Sequence, residues 1–198
     1  MVVKMREELD KLLCERYPKM MVNRNKSMQE TAMCWGFSCG DGWFNILNQL
    51  MSNIQHHIDW KNQTRTRNIA FNQAIIDARR QPADWTKFNQ IHPQDNSWTD
   101  ELREDIINGT LELRNIEPEV EQVTLDQVKE KFGTLRFYYT GGDDYVRGLV
   151  SMAESMSSVT CEECGNPGET HHDGWIRTLC DTHEAERQAK MKERFGDE

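Results

Sequence analysis

The chain has 198 residues, 37% hydrophobic and 29% charged, with 24 Lys and Arg against 33 Asp and Glu for a formal net charge of −9. That length suits one domain with an appendage or two small ones, and six Trp, seven Phe and four Tyr supply a packed core rather than a disordered chain. The acidic balance argues against broad nonspecific nucleic-acid binding, which needs clustered cations, and permits an acidic surface that docks on a basic groove of a partner.

Residues 1–17 read as a charged amphipathic helix with Leu9, Leu12 and Leu13 on its apolar side, ended by Pro18. This stretch lacks a signal-peptide pattern and no long apolar run follows. A soluble cytoplasmic protein without membrane contact is therefore expected, with Cys14, Cys34 and Cys39 as reduced thiols. Residues 19–40 are irregular and rich in Met and Asn. Cys34-x4-Cys39 has no second pair nearby to complete a metal or redox site, so both read as buried thiols beside Trp35 and Trp43. Asp41 is an expected N-cap. Trp43, Ile46, Leu47, Leu50, Met51, Ile54 and Ile58 then recur at helical spacing as a core stripe, with His57 structural and His56 exposed.

Residues 61–118 form the most polar zone, read as a mainly helical insertion between an N-terminal helical part (1–60) and a segment that completes the body (119–158). A helix over 64–80 stops at Pro82. Residues 83–97 read as a loop or short helix around His92-Pro93, and 98–107 as another helix closed by Asn108-Gly109. Arg65, Arg67, Arg79, Arg80 and Lys87, with the nearby aromatics, make this the best basic and aromatic cluster for phosphates or bases. An ordinary solvated helical face is the plainer reading.

From 119 onward the patterning sharpens. Val120 to Val123 reads as a short strand, and Thr124-x2-Gln127 as a capping box opening a helix over 125–132 that ends at Gly133. Residues 134–140 alternate as a strand, with Leu135, Phe137 and Tyr139 on one face. Gly141-Gly142 turns the chain into a helix capped by Asp143 or Asp144. Gly-rich starts at 40–42 and 141–143 offer helix N–H groups to an anion, with Lys129, Lys131 and Arg136 close in sequence to the second. These three are the candidate residues for a small anionic ligand such as a signalling nucleotide, although Asp41, Asp143 and Asp144 oppose an anion there.

The clearest chemistry lies in residues 159–198: Cys161-x2-Cys164, fifteen intervening residues, then Cys180-x2-His183. Two close pairs of soft ligands suit one tetrahedral Zn²⁺. Gly165 can take the positive φ behind the second sulfur, a short hairpin carries Trp175 and Ile176, and the last ligands open a helix. Knuckle, hairpin and helix resemble a treble-clef zinc finger. His171 and His172 are competing ligands placed mid-hairpin. Four protein ligands leave no position for an activated water, so a single structural zinc is expected. An HNH-type nuclease shares the scaffold, yet the intervening loop is too short and no matching Asn or further His follows Cys180. Arg177, Arg187, Lys190, Lys192 and Arg194 could meet phosphates, but Glu184, Glu186 and Glu193 interleave with them.

Val128-Lys129-Glu130-Lys131-Phe132-Gly133-Thr134-Leu135-Arg136-Phe137-Tyr138-Tyr139 supports a further comparison. With Cys39-Gly40-Asp41-Gly42-Trp43 upstream, and Cys161 to Gly168, Gly174-Trp175 and Thr178-Leu179-Cys180 downstream, it resembles a widespread, uncharacterised family of small phage and prophage proteins. The resemblance covers both ends and leaves 61–117 as an insertion. It implies a phage-type protein acting in a bacterial cytoplasm and supplies no catalytic set. The expected architecture is α+β: a mainly helical body, a small sheet including 135–139, and the C-terminal treble clef. The expected function is noncatalytic binding of a host protein, as an anti-defence or takeover factor. Sequestering a small anionic ligand and nucleic-acid binding are the alternatives.

Overall fold

The computed structural model describes residues 4–81, 85–91 and 100–196. It is mainly helical, with two antiparallel two-stranded sheets. The expected helix at the amino terminus is α1 (Glu7–Arg16); residues 1–3 lie outside the described residues. Leu13 is buried on it, and so is Asp10, which accepts from the Phe37 backbone N–H and pairs with Arg24.

A single helix, α2 (Phe44–Arg80), replaces the two expected over 43–58 and 64–80. Residues 59–63 hold no Pro or Gly, so nothing in the backbone chemistry stops the helix there. Asp41 does not cap it. A short 3-10 turn, Asp41–Trp43, leads in, and the Asp41 carboxylate is held instead by the Arg6 backbone N–H and guanidinium. Leu47, Leu50, Met51, Ile54 and Ile58 are buried as the stripe requires. His57 is indeed tied inward, with Nε2 2.8 Å from Asp143 and its ring stacked on Tyr145.

The largest departure is at 124–131. The expected helix is strand β1 (Thr124–Lys131), paired antiparallel with β2 (Thr134–Thr140). Leu125 and Val128 both face the core despite their helix-like spacing of three. A bulge between Leu125 and Gln127 explains this, since one extra residue turns a three-residue step into a same-face step. Phe132 and Gly133, at φ 55° and 77°, form the two-residue turn between the strands, so Gly133 serves a hairpin and not a helix end. Val120 and Val123 are buried but belong to no strand.

Both edges of this hairpin are covered. Ser38 pairs with β1 through its N–H to Val128 (3.0 Å) and its carbonyl to Glu130 (2.9 Å). Along β2, the Leu135 and Phe137 N–H groups donate to the Ser157 hydroxyl and the Glu154 carboxylate of α5 (Asp144–Ser157). No edge donor is left to invite another strand at these positions. Asp143 caps α5 by accepting from the Val146 N–H.

The chain divides into two compact units, residues 1–58 with 121–198, and residues 59–120. The first has Trp43, Phe37, Leu47, Met51, Leu125 and Leu135 fully buried in its core. The second has its own core of Phe71, Ala74, Ile75, Ala78, Phe88 and Ile106, drawn from α2, α3 (Thr86–Ile91) and α4 (Asp100–Asn108). The expected loop or short helix over 83–97 is helical at α3; Pro82, His92-Pro93 and Trp98 lie outside the described residues.

Two of the five cations noted in this second unit, Arg79 and Lys87, serve its own structure. Arg79 donates to the Ile106 and Leu111 carbonyls, and Lys87 pairs with Asp77. Asn62 and Asn72 each exchange two hydrogen bonds with the backbone, at Val120 and Arg114, standing in for a ladder that residues 114–120 otherwise lack. Ile75→Val is expected to lower stability by about 0.5–1.5 kcal/mol in urea unfolding, without changing metal content. A parallel loss of metal would show that the two units do not keep their functions apart.

Candidate metal centre

Cys161 and Cys164 bracket a tight turn closed by the Gly165 N–H on the Cys161 carbonyl (2.9 Å). Gly165 sits at φ 80°, as a knuckle requires. The chain then runs through β3 (Glu169–His171) and β4 (Arg177–Leu179), paired antiparallel, and reaches Cys180 at the start of α6 (Asp181–Phe195). His183 stands in the first turn of α6, three residues on and so beside Cys180.

Folding brings the four together. The donor atoms of Cys161, Cys164, Cys180 and His183 all lie within 4.8 Å of one another. Cys164 Sγ and Cys180 Sγ are 3.8 Å apart, and His183 Nδ1 is 3.4 Å from Cys161 Sγ and 3.3 Å from Cys180 Sγ. A tetrahedron with metal–sulfur bonds of about 2.3 Å and metal–nitrogen bonds of about 2.0–2.1 Å has S···S edges near about 3.8 Å and S···N edges near about 3.6 Å. The donor set thus has the size and chemistry to hold a metal ion. His171 and His172 are not part of the cluster; His171 lies opposite Arg177 in the β3–β4 pair. The His183 backbone amide draws the Cys180 thiol down to about 7, which favours the thiolate a metal needs.

The knuckle is clamped from the other end of the sequence. Gly42 N–H donates to the Glu162 carbonyl at 2.8 Å, and Gly40 N–H donates to the Glu162 carboxylate at 3.0 Å. A methyl group on Gly42 would stand 2.2 Å from the Cys161 carbonyl oxygen, and one on Gly40 2.3 Å from that of Glu162. Only glycine permits this approach. Trp43 is fully buried beside it, its indole N–H donating to the Thr160 carbonyl at 2.9 Å.

Glu162 itself is fully buried. Arg177 reaches its carboxylate at 2.9 and 3.2 Å and also holds Glu163. Burial pushes the Glu162 carboxyl above its ordinary value, against the pull of Arg177 and the Gly40 N–H. Neither this charge pair nor the glycine clamp was expected from the sequence. The one signal in the sequence was the run Cys39-Gly40-Asp41-Gly42-Trp43, with a glycine on either side of Asp41.

The helix start at 40–42 is already filled by the knuckle, and that at 141–143 by Asp143 and by the Gly142 N–H donating to Glu121. Lys129 and Arg136 face each other across the β1–β2 pair, and Lys131 stands two residues along, opposite Thr134. Of the tail cations, Arg177 is committed to Glu162 and Glu163, and Arg187 to Glu184 and the carbonyls of Asp173 and Trp175. Cys39 is buried, which raises its thiol well above the ordinary value, whereas Cys34 is half-buried and Trp35 beside it is exposed. Among the described residues no helix is long and apolar enough to cross a membrane.

No family model matches the chain, and comparison with curated proteins and with solved structures finds no match either.

Proposed function

We propose that this protein is a noncatalytic binding protein whose C-terminal unit is a treble clef built on one structural Zn²⁺. The donor set carries the reading: three sulfurs and one imidazole, all supplied by the chain, with their donor atoms within 4.8 Å of one another. A tetrahedral ion held by four protein ligands has no open position for a substrate or an activated water. Its role is then to cross-link the knuckle to the start of α6. Through the clamp on Glu162, the knuckle in turn fixes residues 40–43.

The partner we infer is a host protein in a bacterial cytoplasm, with this chain acting as a phage-type inhibitor of defence or a takeover factor. The family resemblance of the two ends supports that reading. So do an acidic chain and the consumption of Arg79, Lys87, Arg177 and Arg187 in internal contacts, which leaves fewer cations for a polyanion. Filled helix starts at 40–42 and 141–143 likewise favour a protein partner over a small anionic ligand.

Native mass spectrometry of protein purified gently from bacterial cells, compared with its denatured mass, tests both halves. One Zn²⁺ per chain with a retained host protein is the expected result. A chain without metal removes the structural-zinc reading. Metal-dependent turnover of nucleic acid or nucleotide by the purified protein removes the noncatalytic one.

A further inference from the structure

The β1–β2 hairpin turns one face inward and one outward. Val128, Leu135 and Phe137 are buried, and the residues that alternate with them carry Lys129, Arg136 and Tyr138. Lys129 and Arg136 are cross-strand partners, so both cations leave the sheet on the same side. Lys131 is on that side too. Among the described residues none of the three is paired with a carboxylate: Arg136 contacts Thr134 and the Leu135 carbonyl, while the Lys129 and Lys131 amino groups each lie 5.3 Å over an aromatic ring, Tyr138 and Phe132. In a chain of net charge −9, this is a face of the opposite sign.

The same end of the hairpin exposes aromatic surface. Phe132 is 66% exposed although it occupies a turn position at φ 55°, which Asn or Gly would fill with less strain. It is the one non-glycine residue with positive φ among the described residues. Gly133 next to it packs closely on Ile176 and Thr170, so the tip of this hairpin rests on the hairpin of β3 and β4. There Trp175 is 72% exposed. Between Phe132, Trp175 and Ile176 lies a cleft of about 460 Å³ rimmed by Lys129 and Lys131. Glu130 also lines it, with one carboxylate oxygen accepting from the Gly133 N–H.

Local backbone strain kept for an exposed ring points to use of that ring outside the fold. Exposed Trp, Tyr and Arg are also the residue types that dominate binding energy in protein interfaces. We propose that this cleft and the cationic face beside it dock an acidic peptide segment of a protein partner, with an apolar side chain in the cleft and carboxylates on Lys129, Lys131 and Arg136. The aliphatic wall at Ile176 and the small number of cations suit a short segment with a few carboxylates. A nucleic-acid strand, charged at every nucleotide, would meet the chain's overall negative field along its length. This inference rests on the protein-partner reading above and names the surface it uses.

The test is fluorescence anisotropy of a short labelled peptide of Asp, Glu, Leu and Phe against the full, metal-loaded chain. Its Asn and Gln counterpart and a labelled oligodeoxythymidine are the controls. The acidic peptide is expected to bind about tenfold more tightly than its neutral counterpart, a difference of about 1.4 kcal/mol. Lys129→Glu with Arg136→Glu, and separately Trp175→Ala, are expected to weaken it by a similar factor with metal content unchanged. Phe132→Asn is expected to weaken binding while the melting temperature holds or rises, which a merely structural Phe132 would not do. Equal binding of the neutral peptide, unaltered binding by the variants, or preference for the oligonucleotide overturns the proposal. Retention of a host protein by both the parent and the charge-reversed chain in native mass spectrometry would remove this surface and leave the protein-partner reading standing.

Discussion

Removal of the metal, by chelation or by Cys180→Ser, is expected to unfold residues 159–196 and to release residues 39–43 with them. Structural zinc contributes about 10–16 kcal/mol of apparent binding free energy in small finger domains, more than a short polar tail can replace by packing. Most of α6 and the β3–β4 loop is exposed, so little apolar burial remains once the cross-link is gone. Reading the sequence alone places this loss mainly in the tail, with a smaller effect on the helical body. The structure extends it, because Gly40, Gly42 and Trp43 take their partners from residues 160–162. Hydrogen exchange checks the point: the Gly42 amide and the Trp43 indole should lose protection together with the amides of the knuckle. Loss confined to 159–196 would show that the clamp holds without the ion. Zinc added back should restore both regions.

Arg177→Met is expected to lower stability by about 3–5 kcal/mol, since it leaves the Glu162 charge buried without its cation. The Glu162 side chain is fully buried and that of Arg177 is 16% exposed, so solvent screens only part of the loss. Adding Glu162→Gln should recover much of the deficit, because the neutral amide can still accept from the Gly40 N–H. Urea unfolding of the single and double variants measures the coupling. A cost below about 1 kcal/mol for the single variant, the value typical of an exposed pair, would mean that water reaches Glu162.

Residue chemistry made some features of this protein legible in advance. Ligand spacing in Cys161-x2-Cys164 and Cys180-x2-His183 is local, and each pair lies within one turn whatever the rest of the chain does. The stripe from Trp43 to Ile58 and the alternation of Leu135 and Phe137 are local periodicities, and both bury as expected apart from Ile46, which is half-buried. Asp143 caps its helix for the same reason: the Asp side chain needs only the amide three residues on.

Residues 124–131 show where local reading ends. Thr124, Gln127 and the step from Leu125 to Val128 favour a helix over these few residues. Pairing with β2, the Met20 and Ser38 backbone groups, and a bulge that restores the buried face outweigh that preference. None of these partners is a neighbour in sequence. Glu162 and the pair Gly40 and Gly42 lie some 120 positions apart, and as a sequence they look like a surface carboxylate and a helix start with free amides. Only the fold sets the glycine backbone against the knuckle, where a side chain would collide and where a buried carboxylate finds both a cation and an N–H. Sequence alone determined the donors, the helical stripe and the strand alternation, because those depend on spacing along one element. The tertiary structure decided which segments pair, which charges are buried and which rings stay in water, because those depend on what a distant part of the chain places beside them.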